Sequence, residues 1–349
     1  MASPIYFITG TTGFLGGELL RNILAKDPNA QCYCLIRDSS LSRFTVNSDR
    51  VFPIKGDITL EQLGLSTQEY QDLANKITHI IHSAAVVQFE KPKAFLEAVN
   101  VQGASNMITF AKACQQHNPE FKVYGHVSTA YVAGKRKGIV TEEDFSDADG
   151  FKNNYEATKF AAEKLVHEVK DTLPIMIFRP SIILGHSIDG STVRSNVLFP
   201  STQIIKRIPL PFTLLPANKN CLLDVVPVDY VAKSIYFSMN DPNAIGRIFH
   251  LTCGQGEELS MRQTTDIYAE VYGPRTFFVP CFLWRVARKL LSYSKRGLYL
   301  VKAADPFWLY TVENPQFCKK ATQKLLDQYG VSCHSIEDVL KKTLLYLEK

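Results

Sequence analysis

The feature that most constrains this chain is a glycine-rich turn that arrives almost at once. Gly10-Thr11-Thr12-Gly13-Phe14-Leu15-Gly16 follows the apolar run Ile5–Thr9 and leads into a helical pattern over Leu15–Lys26. Strand, glycine turn and helix in that order form a site for a dinucleotide. One glycine permits the tight turn, one lets backbone approach a pyrophosphate, and one lets helix and strand pack closely. The helix N-terminus adds unpaired N–H groups and a positive dipole end. Gly10, Thr12, Gly13, Phe14, Leu15 and Gly16 are therefore expected cofactor contacts.

The rest of the first half repeats the alternation. Strand-like runs at Cys32–Ile36, Val51–Lys55, His79–Ser83, Lys122–Ser128 and Ile175–Phe178 are separated by helical patterns at Thr67–Asn75, Phe95–Gln116 and Glu156–Thr172. Alternation of this kind predicts an α/β fold, a doubly wound parallel sheet of Rossmann type with helices on both faces. Beyond Pro180 the pattern loosens. Pro200, Pro209, Pro211 and Pro216 rule out a regular helix there, so residues 185–223 are expected to form a loop-rich wall of a substrate lobe. Asp229–Met239 reads as a helix returning to the sheet. Helical stretches at Phe282–Tyr293, Phe317–Gln328 and Ile336–Leu347 predict a smaller, mainly helical C-terminal lobe. The expected division is a nucleotide-binding domain over 1–250 and a substrate-binding lobe over 251–349.

Composition narrows the function classes. The 349 residues are 46% hydrophobic and 21% charged, a globular profile, and the net charge of +5 is too weak to argue for nucleic acid. No run approaches the ~18 unbroken apolar residues of a membrane span, and Ile5–Ile8 comes too early to be a secretion signal. The eight cysteines include no Cys-x-x-Cys, and His79 and His82 have no cysteine at metal-site spacing, so no metal is expected. Cys32 and Cys34 alternate in an apolar run and are expected on one face of a strand. A reduced, cytoplasmic compartment is the plain reading.

At the end of the second strand an acidic residue would hold the ribose 2′-hydroxyl of NAD. This chain has Arg37 there, followed by Asp38. A guanidinium at that edge pairs with a 2′-phosphate, which favours NADP(H); a solvated Arg37–Asp38 pair is the alternative. Asp57, with Ile58 after it, is placed either to accept from an adenine amine or to cap its own turn. Ser83, Ala84 and Ala85 are small, as backbone passing close to a dinucleotide requires.

The chemistry is expected at Tyr155 and Lys159, one helical turn apart on one face. An ammonium beside a phenol stabilises phenolate and lowers its pKa from ~10. Thr129, ending the strand 26 residues upstream, can hydrogen-bond the substrate oxygen that Tyr155 protonates. Any one of these patterns is common. Together with the glycine turn they are specific.

This set resembles the extended short-chain dehydrogenase/reductases. Thr9–Gly16, Leu35-Ile36-Arg37, the run His126–Val132, Arg179-Pro180-Ser181 and the run Asp224–Ala232 resemble their thioester reductase and fatty acyl-CoA reductase branch, the male-sterility type. The resemblance covers roughly residues 3–255. It implies Thr129, Tyr155 and Lys159 as catalytic and Gly10, Gly13, Gly16 and Arg37 as cofactor contacts. Asn100 matches a position that supports the active site in the wider superfamily, and Pro180 and Ser181 join the expected contacts. The implied activity is NADPH-dependent reduction of a thioester-activated acyl group, carried by coenzyme A or a separate acyl carrier protein. The product would be the aldehyde or, with a second hydride, the alcohol. Oxidoreduction or epimerisation of a ketone, aldehyde or nucleotide-sugar hydroxyl by the same residues stays open, as does an idle NADP-sensing regulator.

Trp284–Gly297 reads as an amphipathic helix. Arg285, Arg288 and Lys289, with Lys295 and Arg296 beyond, are basic; Val286, Leu290, Leu291 and Tyr293 are apolar. Either its apolar side lies in the core, or this face meets coenzyme A phosphates, an acidic carrier protein or an anionic membrane surface by peripheral contact.

Overall fold

A computed structural model describes residues 3–88, 91–193, 202, 212–295, 297–298, 301, 305, 308–333 and 335–349. Pro200, Pro209, Pro211 and Arg296 lie outside the described residues, as does the side chain of Arg285.

Every expected strand of the first half forms: β1 (Ile5–Thr9), β2 (Gln31–Ile36), β3 (Val51–Lys55), β4 (His79–His82), β5 (Val123–Val127) and β6 (Ile175–Pro180). Further strands go beyond expectation, two of which matter here. Phe212–Pro216 is β7, and Ile248–Leu251 is β8. The main sheet runs β8-β6-β5-β4-β1-β2-β3, with every pairing parallel. Pro53 is tolerated because β3 is an edge strand, where a missing N–H leaves no ladder bond unmade. In β2, Cys32, Cys34 and Ile36 point into one apolar cluster and Leu35 into the other, so the two cysteines share a face as expected.

Helices cover both faces. α1 (Phe14–Lys26) and α5 (Val228–Met239) bury Leu19, Leu20, Ile23, Tyr230, Val231 and Ile235 against one side. On the other side, α3 (Gln102–His117) and α4 (Asn154–His167) bury Met107, Phe110, Ala111, Cys114 and Val166. α2 (Thr67–Ala74) opens on a capping box between Ser66 and Glu69. The helix expected to run from Phe95 begins at Lys93–Leu96 and passes through a π-helical segment, Glu97–Val101, before α3. That local unwinding aims Asn100 at the loop after β4 and at α4. α4 stops at His167, five residues short of the expected end.

The C-terminal third differs most. α6 (Met261–Tyr272) had no counterpart among the expected helices. β9 (Arg275–Val279) pairs parallel with β7, which joins the 185–223 region to the lobe beyond residue 250. α7 (Phe282–Leu291) ends two residues early. Phe317 is not helical: Gln316–Phe317 is a short strand on Ile139–Val140, and the helix is confined to α8 (Lys320–Leu326). Phe317 is buried against Tyr131 and Tyr310, and that burial outweighs the helical spacing of its neighbours. α9 (Ile336–Tyr346) sends Ile336, Val339, Leu340 and Leu344 into the same apolar cluster as β1, β2 and α1. These late residues complete the sheet's own core.

Candidate active site

The glycine turn joins β1 to α1 at the point where the strand order reverses, with β2 on one side of β1 and β4 on the other. Doubly wound sheets bind ligands in this crevice. Gly10 has φ +82°, and a Cβ there would lie 2.8 Å from the Ala84 nitrogen. A Cβ on Gly16 would lie 2.2 Å from the Gly10 carbonyl oxygen. Glycine is thus demanded at both positions, and Ser83–Ala84 does pass close. Gly13 is the N-cap of α1 and brings no side-chain cap, which leaves the first N–H groups of the helix to an outside acceptor. Thr12 and Phe14 are half-buried at the mouth of the turn, while Leu15 packs on the core. A cleft of about 530 Å³ opens beside them, lined by Phe14, Arg21, His186, Ile188 and Ser191 among others.

The other expected residues follow the C-terminal ends of neighbouring strands. Along that edge come Pro180 at the end of β6 and Ser181 after it, Thr129 after β5, Ser83–Ala85 after β4, the glycine turn after β1, Arg37 after β2 and Asp57 after β3. From Arg37 to Thr129 is three strand spacings, about 14 Å, a span suited to an extended ligand. Arg37 is exposed and is in no ion pair among the described residues. The alternative Arg37–Asp38 pair does not form, because Asp38 meets Lys55 at 2.9 Å. Asp57 Oδ1 accepts from the nitrogen and the hydroxyl of Thr59, each at 2.9 Å, so the turn-capping role is realised. Ile58 is buried against Gly103 of α3.

At the chemical end, the Thr129 hydroxyl neighbours the Tyr155 phenol and favours its ionised form. Thr129 also donates to the Pro180 carbonyl at 3.3 Å. Asn153 caps α4 by accepting from the Glu156 nitrogen, which fixes the turn that carries Tyr155. One turn on, Lys159 is buried and its Nζ donates to the Val127 carbonyl at 2.8 Å. Asn100 ties the site together. Its Oδ1 accepts from the Val86 nitrogen at 2.9 Å, and its Nδ2 donates to Thr158 Oγ1 at 3.1 Å, linking the loop after β4 to α4.

One expectation is corrected. Burial, and then the Glu156 carboxylate, raises the Tyr155 phenol above its ordinary value, with only the Thr129 hydrogen bond opposing. Lys159 does not bring it down. Burial lowers the lysine itself to about 8, against the pull of Glu163. The site as it stands keeps the phenol protonated, which suits a proton donor. Reduction should therefore slow as pH rises through about 8 and Lys159 loses its charge, and Lys159→Arg should carry that limb to higher pH. A pH profile of kcat/KM for both proteins checks this.

Four participants escaped sequence reasoning. Glu163 and Arg179 form a fully buried pair at 2.6 Å, and Arg179 also donates to the carbonyls of Glu142 and Asp144. His82 and His126 lie beside Lys159, and burial followed by that cation holds both below the ordinary imidazole value. The available signals were the i,i+4 spacing of Lys159 and Glu163 and the places of Arg179 and His126 in the runs Arg179-Pro180-Ser181 and His126–Val132.

Comparison with known proteins agrees with this geometry. Residues 8–235 match the family model described as male sterility protein. The chain is 28% identical over 277 residues to a nonribosomal peptide synthetase of Aspergillus flavus, covering 72% of this chain and 26% of that one. It is 25% identical to a Drosophila melanogaster protein described as a candidate fatty acyl-CoA reductase, covering 84% and 62%. The chain thus spans less than two thirds of these curated relatives. Among solved structures, the terminal R domain of the myxalamid PKS-NRPS biosynthetic pathway superposes with a TM-score of 0.84 at 26% identity, over 99% of this chain and 91% of that one. A UDP-glucuronic acid 4-epimerase of Bacillus cereus shares the fold at TM-score 0.70 and 16% identity. A match over most of the sheet, with the glycine turn and the Thr129–Tyr155–Lys159 cluster in place, means that the chain belongs to the male sterility family of NAD-binding, extended short-chain dehydrogenase/reductase enzymes.

Proposed function

We propose that this chain is an NADPH-dependent reductase of a thioester-bound acyl group, delivered on coenzyme A or on a separate acyl carrier protein. The observation that carries the reading is the pair of neighbouring hydroxyls, Thr129 and Tyr155, with a buried lysine one turn on, at the edge that also holds the glycine turn. Both hydroxyls can donate to one carbonyl oxygen and stabilise the negative charge that grows on it. Tyr155 then gives its proton to that oxygen, and the hemithioacetal collapses to aldehyde and thiol. NADPH supplies the hydride when bound. Lys159 holds positive charge beneath the tyrosine, and Asn100 fixes α4 against the loop after β4.

In this reading Gly10, Gly13 and Gly16 receive the pyrophosphate, and Ser83, Ala84 and Ala85 leave room for the dinucleotide. Pro180 and Ser181 border the nicotinamide. Asp57, with Oδ1 engaged by Thr59, keeps Oδ2 for an adenine amine. Arg37 meets the 2′-phosphate, helped by its lack of an ion-pair partner among the described residues. Residues 185–223 and 251–349 shape the acyl site, supported by the β7–β9 pairing and by the cleft that His186 and Ile188 line.

Arg37→Ala should weaken NADPH by about 1.5–3 kcal/mol, the worth of a charge-assisted contact, and leave NADH nearly unchanged. Binding titrations with both cofactors check this, and equal losses would remove Arg37 from the site. The substrate class is tested by NADPH oxidation against acyl-CoA thioesters, with aldehydes and nucleotide sugars alongside. Thioesters should be consumed with release of free thiol. Turnover of nucleotide sugars alone would point to the oxidoreductase or epimerase alternative.

A further inference from the structure

The amphipathic helix α7 has its apolar side in an unexpected place. At about 100° per residue, Phe282, Val286 and Leu290 fall on one narrow arc and are 66%, 54% and 65% exposed; Tyr293, just past the helix, is 78% exposed. The inward arc holds Trp284, Ala287 and Leu291, all half-buried. Trp284 stacks on Trp308, whose Nε1 donates to the Pro216 carbonyl at the end of β7. Packing therefore uses only half of the helix's apolar surface. The β7–β9 ribbon beside it also turns Leu214 and Phe277, which are register partners, outward to solvent.

Charge marks the same region. From Val271 to Ala304 the sequence carries seven lysines and arginines and no aspartate or glutamate, in a chain whose net charge is only +5. On α7, Arg288 is held by Asp305 at 3.0 Å, while Lys289 is exposed at the border of the apolar arc; Lys295, also exposed, follows just beyond the helix. Large apolar side chains in water are unfavourable in a soluble setting and mark a contact surface. An exposed apolar arc bordered by Lys289, in a stretch of sequence whose charges are all basic, fits the boundary between headgroups and acyl chains, with its charges reaching back to anionic headgroups.

We propose that α7, together with the β7–β9 ribbon, docks this chain on an anionic lipid surface. Attachment of this kind is independent of whether the substrate is a thioester.

The test is flotation of the full chain with vesicles of phosphatidylcholine plus phosphatidylserine, compared with phosphatidylcholine alone. The wild type should float with the mixed vesicles and bind the neutral ones far less. Raising salt from about 0.1 M to about 1 M shortens the screening length from about 10 Å to about 3 Å and should release much of it. Val286→Glu/Leu290→Glu and, separately, Lys289→Glu/Lys295→Glu should each cut the bound fraction by about tenfold or more. These positions are exposed, so thermal melts should stay at the wild-type midpoint. A wild type that remains in the soluble fraction overturns the proposal, as does binding indifferent to Val286→Glu/Leu290→Glu. A wild-type dimer that this double variant turns into monomers, with no vesicle binding, would also overturn it and assign the face to self-association. Loss of turnover on a carrier-borne substrate without vesicle binding would overturn it in favour of a protein partner.

Discussion

Tyr155→Phe should lower thioester turnover by roughly 10²-fold or more while leaving the fold intact, the usual cost of a lost acid/base group. The substitution removes one oxygen from a half-buried ring whose hydroxyl neighbours that of Thr129. The ring keeps its place on the first turn of α4, which Asn153 caps through the Glu156 nitrogen. What disappears is the proton donor and one of two hydrogen bonds to the developing oxyanion. Thr129 remains and can still polarise the carbonyl, so some activity should persist. Single-turnover kinetics with saturating cofactor isolates the chemical step, and far-UV circular dichroism checks the fold. Near wild-type turnover would take the tyrosine out of the mechanism.

Glu163→Gln should destabilise the protein by about 3–5 kcal/mol, because it leaves the buried Arg179 cation without its counter-charge. Both residues lie inside the protein, and Glu163 Oε1 accepts from Arg179 Nε at 3.0 Å and Nη2 at 2.6 Å. Burial alone would raise this carboxyl. The Arg179 charge, with the hydrogen bonds from His167 and Arg179, outweighs burial and carries it from 4.5 to about 2. Because the folded-state value is depressed, the contribution is complete above about 4.5 and is lost as pH falls toward 2. Urea melts should show a lower midpoint for the variant at neutral pH, with the gap to wild type closing as the solution is acidified. A variant as stable as wild type at pH 7 would mean that Arg179 finds its compensation in the Glu142 and Asp144 carbonyls instead.

The two halves of the molecule were unequally legible in sequence. β1 to β6 were readable because buried parallel strands are short apolar runs bounded by turn residues, and the helices between them carry a 3.6-residue period. β8 was missed because Ile248–Leu251 lies beyond Pro180, where the strand–helix alternation loosens; its strand character comes from pairing with β6, which no local pattern records. The π-helical segment at Glu97–Val101 is invisible to periodicity for the same reason, and it decides where Asn100 points. In the C-terminal third, Phe317 lost its helical reading to tertiary burial, and α6 had gone unread.

The site followed a similar division. Thr129, Tyr155, Lys159 and the glycine turn were legible because spacing alone places them at strand ends and on one helix face. Glu163 and Arg179 were not. A buried ion pair joining α4 to β6 looks, in sequence, like two ordinary surface charges. The apolar arc of α7 was readable as a pattern, but only the fold could say that it faces outward.

The central claim is that hydride reaches a thioester carbonyl at Thr129 and Tyr155, and isotope transfer tests it most directly. An acyl-CoA should be incubated with NADPH deuterated at the transferred position, and the products analysed by mass spectrometry alongside a thiol assay. The expected result is an aldehyde with deuterium at C1 and a matching amount of free coenzyme A, both strongly reduced for Tyr155→Phe. An intact thioester, or deuterium that enters only an added ketone or nucleotide sugar, would contradict it.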